Sequence, residues 1–294
     1  MMMKRKEMLR LVRSFLPFYP FTLLPFYLFT FLPFLLLSCE KEIDIDYKNV
    51  DALYVAEAMV TQQGTTVRLT KTRSVDVNSR VGIFVKNAEV KVLMGNDIED
   101  QLEYNELRGL YESSIMAFPG FSYTIDIAID GRHYTSTSTV LNAPEVANFR
   151  FVWKKMFSER MLFVDLHLHD IPNENNYYFM HLYRNGIGYR WAVMRDSENP
   201  GGELTQLFSC TTERAMDENS DADALRDGDV IHLEVRSIDK ASYDYFYSLQ
   251  LATSSNTNPL PNFTGGMLGY FSAFQSYEND YTFHRSKVEE EEDD

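Results

Sequence analysis

Asp165, His167 and His169 are spaced two apart in a short stretch of otherwise apolar residues. On an extended strand that spacing puts all three on one face, and carboxylate and imidazole groups are ligands for zinc or another borderline metal. Distance works against a strand-borne triple: at ~3.4 Å per residue it spreads over about 14 Å, too far to close on one ion. His167 and His169 joined by His181 from a neighbouring strand make a better candidate set. A solvated strand face, with Val164, Leu166 and Leu168 turned to the core, remains the expectation, so no metal is assigned.

Asp217, Asn219, Asp221, Asp223, Asp227 and Asp229 form a second acidic constellation. In the register beginning at Asp217, Ala222 stands where an EF-hand needs glycine and Gly228 where it needs a bidentate glutamate, which excludes that motif. Asp217, Asn219 and Asp221 are left as candidates for a looser calcium site, against the expected solvated acidic loop over 211–228. Gly265-Gly266-Met267-Leu268-Gly269 is followed by no Lys or Ser/Thr and leads into a strand, so it is no phosphate cradle. Its glycines suit a tight turn or a close approach to another segment. No Gly-x-Ser-x-Gly and no cysteine–histidine spacing points to a nucleophile. With 43 acidic residues, carboxylate pairs are too common for one to be singled out. No catalytic residue and no cofactor is assigned, and a non-enzymatic protein is expected.

The strongest chemical signal is Cys39. Lys4, Arg5, Lys6, Arg10 and Arg13 precede an uncharged stretch from Ser14 to Leu37, and Leu36-Leu37-Ser38-Cys39 runs directly into Glu40-Lys41-Glu42. A basic n-region, an apolar h-region and a small residue before the cleavage point are the parts of a secretory signal. The apolar run is near the ~20 residues of a membrane span, but Pro17, Pro20, Pro25 and Pro33 would each remove a helix donor. Residues 1–38 are therefore expected to be a lipoprotein signal peptide, with Cys39 acylated, as by palmitate, and made the new N-terminus.

The formal net charge is −15, and removal of the basic leader would make the chain more acidic still. Without a basic patch there are no phosphate contacts to make, which argues against nucleic acid as a partner. Anionic membrane surfaces would repel such a body, so lipid must do the anchoring, at ~0.8 kcal/mol per buried methylene and with more than one chain. Of two cysteines one is committed to lipid, so no intramolecular disulfide is possible, and Cys210 is expected to be a small buried hydrophobe.

The elements behind these residues are mostly strands. Residues 39–49 are charged and aperiodic, a tether. From residue 50 to 142 short alternating runs (Thr65 to Lys71, Ala88 to Met94, Tyr123 to Ile129, Arg132 to Thr139) predict a β-sandwich, the last two joined by an Asp130-Gly131 hairpin turn. Pro144 breaks the pattern, and a second β-rich block is expected over 143–285, with strands at Met161–His169, Asn176–Arg184, Gly188–Arg195, Leu204–Cys210, Val230–Arg236 and Leu268–Phe274. Tyr243, Phe246, Tyr247 and Leu251 recur at helical spacing and predict one helix over Lys240–Ala252, capped by Ser237 or Asp239. Residues 286–294 end in six acidic residues and are expected to be a solvated tail.

Several short motifs carry a resemblance. They are the cysteine box, Leu53-Tyr54-Val55-Ala56-Glu57-Ala58, Asn87-Ala88-Glu89-Val90-Lys91-Val92, Gly109-Leu110-Tyr111 and Gly120-Phe121-Ser122-Tyr123. In the second half they are Asp170-Ile171-Pro172 with Asn176-Tyr177-Tyr178, Tyr243 with Tyr245, and Gly265-Gly266-Met267-Leu268-Gly269-Tyr270-Phe271, the most specific of them. Together they resemble a family of Bacteroidota outer-membrane lipoproteins built on a domain of unknown function, DUF4249. The resemblance implies a mainly β fold: an N-terminal immunoglobulin- or transthyretin-like sandwich, then a second β-rich domain with one short helix. It also implies an outer-membrane, surface-exposed location and a TonB-dependent receptor as partner, with ligand capture or gating as the role. An adhesin or structural surface component is the alternative. The family supplies no catalytic residues.

Overall fold

Small inward residues decide the first sheet. Ala56, Ala58 and Val60 alternate with polar or larger residues in β1 (Tyr54–Thr61), and Val67 and Leu69 do the same in β2 (Gly64–Lys71), so one side of the hairpin is fully buried. The structure, a computed structural model, describes residues 52–73, 82–156, 158–171, 175–196, 202–255 and 257–291; the segment expected as a leader, 1–38, Cys39 and the segment expected as a tether, to residue 49, lie outside them.

β3 (Ile83–Phe84) flanks β2, and β7 (Leu110–Ser113) with β6 (Glu103–Asn105) extends the sheet on that side. Facing it is a four-stranded sheet in the order β5 (Ile98–Gln101), β4 (Glu89–Met94), β8 (Ser122–Ile129), β9 (Arg132–Thr139). Val90, Val92, Ile125 and Ile127 meet Ala58, Val67 and Leu69 in one shared core. The Asp130-Gly131 turn has φ of 49° and 72°, the left-handed pair a two-residue hairpin requires.

The remaining strand of the first sheet comes from far along the chain. β16 (Leu268–Ala273), expected within the second block, pairs in parallel with β1, setting Gly269 opposite Ala56 and Phe271 opposite Ala58. Its free edge is satisfied by side chains: Asn262 accepts from the Phe271 N–H and donates to the Phe271 carbonyl, both at 2.8 Å, and Ser138 Oγ accepts from the Ala273 N–H at 2.8 Å. The Thr264 N–H donates to the Thr135 carbonyl of β9 at 2.8 Å. Residues 262–273 thus close the seam between the two sheets, and Phe271 and Ala273 join the N-terminal core.

The second pair of sheets runs β14 (Glu203–Thr212), β11 (Glu159–His169), β10 (Glu145–Met156), β18 (Glu289–Glu290), against β13 (Ile187–Arg195), β12 (Tyr177–Arg184), β15 (Val230–Ser237), β17 (Gln275–Thr282). Leu162, Leu166, Met180, Leu182 and Leu233 fill the space between them, each fully buried, and each such side chain contributes roughly 1.5–3 kcal/mol. The fold is mainly β, as the sequence predicts. Cys210 lies in this core, where burial pushes its thiol up to about 11.

Among the described residues two α-helices interrupt the strands. The segment expected as an exposed acidic loop opens instead with α1 (Glu213–Asp217), whose Ala215 N–H is capped by Thr212 Oγ1 at 3.1 Å, and it buries Ala224 and Leu225. α2 (Lys240–Ser255) is the predicted helix. Asp239 is the cap: Oδ1 accepts from the Ser242 N–H at 2.8 Å, while Oδ2 accepts from the Thr139 N–H of β9 at 3.1 Å. The buried face is Tyr243 and Phe246; Tyr247 and Leu251, expected on it, are about half exposed. Phe179 of β12 and Met59 and Tyr270 of the first sheet pack in the same cluster, so α2 wedges between the outward faces of the two sandwiches.

The acidic tail is also ordered up to Glu291, with 292–294 outside the described residues. Glu289 and Glu290 pair with Val152 and Trp153 of β10, because β10 and β11 present a row of cations there. Arg150 takes Glu289 at 2.9 Å, Lys154 takes Glu291 at 2.7 Å, and Arg160 takes Glu290. Removing residues 289–294 is expected to lower stability by about 1 kcal/mol, the scale of a few solvent-facing ion pairs. The urea midpoint would record it, with a smaller loss at high salt.

Candidate functional site

The three candidate metal-binding histidines are not neighbours. β11 pairs with β10 and β14, whereas β12 pairs with β13 and β15 in the opposite sheet. Leu166 and Leu168 on β11 and Met180 and Leu182 on β12 face the common core, so His167 and His169 point out of one side of the sandwich and His181 out of the other. Among the described residues no three His, Cys, Asp or Glu side chains converge as a metal-holding group.

Asp165 and His167 are instead parts of an ion network. Asp165 is 2% exposed and takes Arg150 through Nε at 2.9 Å and Nη2 at 2.8 Å. His167 Nδ1 lies 2.6 Å from Glu203 Oε1; its Nε2 is 3.0 Å from Asp165 Oδ1, close enough for ion pairing but off the hydrogen-bonding axis. Burial pushes the Asp165 carboxyl up, but His167 and Arg150 outweigh it and hold the group below the usual carboxylate range. A folded-state value below the unfolded ~3.9 stabilises the protein above that pH, and the contribution is lost as pH falls through the folded value. Asp165→Asn is expected to cost about 2 kcal/mol near neutrality, the scale of a hydrogen bond to a charged group, since Arg150 is about a third exposed and keeps Glu289. In denaturant titrations the gap from the parent protein should narrow below about pH 4.

The acidic candidates are likewise taken up by the fold. Asp217 pairs with Arg285 at 2.7 Å, Asn219 accepts from Arg226 at 3.3 Å, and Asp221 accepts from Thr211 Oγ1 at 3.0 Å and from the Asp223 N–H at 2.8 Å. Asp229 accepts from Arg184 Nε at 2.7 Å and Asn185 at 2.8 Å; its burial opposes ionisation, but the donors around it lower its carboxyl pKa. These groups fasten α1 and the following loop to the second sandwich.

A polar site lies on the outward face of β12, β15 and β17. An open cleft of about 400 Å³ is lined by Tyr183, Gly186, His232, Glu234, Arg236 and Glu278, within the size range of small-molecule sites. Strand register assembles it: His181, Glu234 and Glu278 form one cross-strand row, and Tyr183, His232 and Asp280 the next. Arg236 is held between the rings of Phe179 and Phe274, at 4.8 and 4.5 Å. It donates to Glu234 through Nε at 2.6 Å and Nη2 at 2.9 Å, a bidentate pair only 12% exposed on each side. The Tyr183 hydroxyl donates to the same carboxylate at 3.2 Å, and burial pushes that hydroxyl up to about 12.

Histidines edge the cleft. His232 Nδ1 is 2.8 Å from Asp280 Oδ1, and its Nε2 stands 3.9 Å from Glu278 Oε2. His181 stacks on Tyr183 with centroids 3.9 Å apart and makes no hydrogen bond among the described residues. Its Nε2 faces Gly188, where a Cβ would come within 3.2 Å. Burial lowers the His181 pKa, Glu234 opposing and Arg236 reinforcing the shift, so the ring favours its neutral form. The cleft therefore offers fixed acceptors, the His232 imidazole and an aromatic ring. Glu234, Arg236, His232 and Glu278 escaped the sequence reading. The only signal of His232, Glu234 and Arg236 is the polar alternate positions of Val230–Ser237, common to any wet strand face, and Glu278 lies on Gln275–Thr282, where no strand was expected before Tyr281.

No curated protein matches the chain. A protein-family match covers residues 40–280, most of the sequence and both sandwiches, and its description is a domain of unknown function, DUF4249. The chain belongs to the DUF4249 family.

Proposed function

We propose that the protein is a non-enzymatic lipoprotein, held on the outer membrane by acylated Cys39, that captures a ligand in the β12–β15–β17 cleft and assists a TonB-dependent receptor. The cleft carries this reading. Its central carboxylate is locked by Arg236 and Tyr183, and Arg236 by two aromatic rings, an arrangement that fixes acceptors for binding. A Tyr183 hydroxyl pushed up to about 12 is a poor acid or base near neutral pH. The leader and Cys39 support the anchor, and the family resemblance supports the receptor.

A protein partner is also supported at the far end of β1 from the chain's arrival at Tyr54. There the Ala117 N–H donates to the Thr61 carbonyl at 2.9 Å, and Tyr123 Oη bonds the Met116 carbonyl at 2.7 Å and the Phe118 N–H at 3.0 Å. This knuckle holds Met116, Phe118 and Phe121 out at 43–48% exposure. Apolar groups presented on a braced loop suit an interface. Affinity capture of the full-length lipoprotein from detergent-solubilised outer membrane is expected to return a receptor barrel. Recovery of the lipoprotein alone would contradict the proposal, and recovery of pilin-like subunits would favour the adhesin alternative.

A further inference from the structure

We infer that the ligand of the cleft is a neutral, hydroxyl-rich molecule, that is, a saccharide. The inference rests on the assignment of the cleft as the binding site and adds the chemistry of what fills it. Charge excludes the anionic classes. Glu234, Glu278 and Asp280 border the space, and the only guanidinium among the lining residues, Arg236, already serves Glu234 through two hydrogen bonds. A phosphate, sulfate or carboxylate would meet net negative potential with no free cation to receive it.

The same groups match hydroxyls. Each sugar hydroxyl both donates and accepts. Glu278 has one oxygen engaged by Ser276 Oγ at 2.9 Å and its other carboxylate oxygen 3.9 Å from His232 Nε2, a gap too long for a direct bond. Each hydroxyl has a single proton, so two adjacent hydroxyls serve them, one donating to the carboxylate and the other meeting Nε2. His232 is oriented for this by Asp280 on Nδ1, which leaves Nε2 for the ligand. His181 and Tyr183 lie ring against ring, with centroids 3.9 Å apart, Tyr183 lining the space and His181 behind it. The Tyr183 ring lines the space, and an aromatic ring suits the C–H face of a pyranose. Gly186 and Gly188 leave the wall beside these rings without side chains, and the cleft's open form admits a segment of a longer chain.

A cationic amine is the competing class, since carboxylates outnumber free cations. It is disfavoured because Glu234 is neutralised in its bidentate pair and the carboxylates of Glu278 and Asp280 are well exposed, where solvent and salt screen their pull on a cation. The test is a glycan array probed with the full-length lipoprotein in detergent, followed by calorimetry with the strongest neutral oligosaccharide and, in parallel, with spermidine. Saturable binding of a neutral oligosaccharide is expected, weakened at least about ten-fold by Glu278→Gln and by His232→Gln, with both variants melting like the parent. No neutral glycan bound at millimolar concentration, binding indifferent to both variants, or spermidine bound in place of sugar would each overturn the inference. Receptor capture separates the two levels. Its persistence without sugar binding would remove only the ligand class, and its loss would remove the functional assignment as well.

Discussion

Gly269→Ala is expected to abolish the native fold at physiological temperature or to lower its stability by more than about 3 kcal/mol, the range of severe backbone strain and core disruption. Gly269 has φ of +96°, a region L-residues rarely adopt. A Cβ there would stand 1.9 Å from the Ala56 carbonyl oxygen and 2.8 Å from its carbon. Those atoms belong to the backbone of β1 and cannot rotate away. Relief requires β16 to leave β1, which withdraws Phe271 and Ala273 from the N-terminal core and breaks the seam made by Asn262 and Ser138. Thermal melting of Gly269→Ala beside Gly266→Ala checks the cause. Gly266 has a similar φ of +84° but nothing within 4 Å of its virtual Cβ, so its variant should be destabilised far less.

Arg236→Met is expected to cost about 3–5 kcal/mol, because it leaves the Glu234 carboxylate buried without its cation. Methionine keeps an apolar chain there but not the guanidinium that lies over Phe179 and Phe274, so the loss combines the ion pair with those two ring contacts. The double variant Arg236→Met with Glu234→Gln should recover a large part of the stability, since it removes the orphaned charge along with its partner. Urea titrations of the two single variants and the double one give the coupling. A double variant as unstable as the sum of the singles would mean that the pair does not hold the cleft floor.

The hairpins were legible because their chemistry is local. Asp130-Gly131 occupies left-handed turn positions that few other dipeptides accept, and Asn185-Gly186, between β12 and β13, repeats that chemistry with φ of 50° and 80°. The helix was legible from its period and from Asp239, although the buried stripe is narrower than the aromatic spacing implies. The position of β16 was not legible. Parallel pairing with a strand some two hundred residues earlier leaves no mark in the neighbouring sequence; the glycines signal a close approach without naming Ala56 as its partner.

The candidate site failed for a related reason. His167 and His181 sit on consecutive strands, and consecutive strands are usually neighbours, but here the chain crosses from one sheet to the other between β11 and β12. Tyr183, His232 and Glu278 meet only once three strands are set in register. The acidic tail misled differently: its composition favours solvent, but the complementary row of Arg150, Lys154 and Arg160 is visible only in the folded sheet.

Everything proposed for the cleft depends on the β body being carried at a membrane by a lipid. The most direct measurement is the intact mass of the protein isolated from its native membrane, with fragmentation of its N-terminal peptide. A polypeptide beginning at Cys39 and carrying a diacylglycerol thioether, with or without a third chain on the amine, is the predicted result. A free Cys39 thiol with residues 1–38 still attached would contradict it.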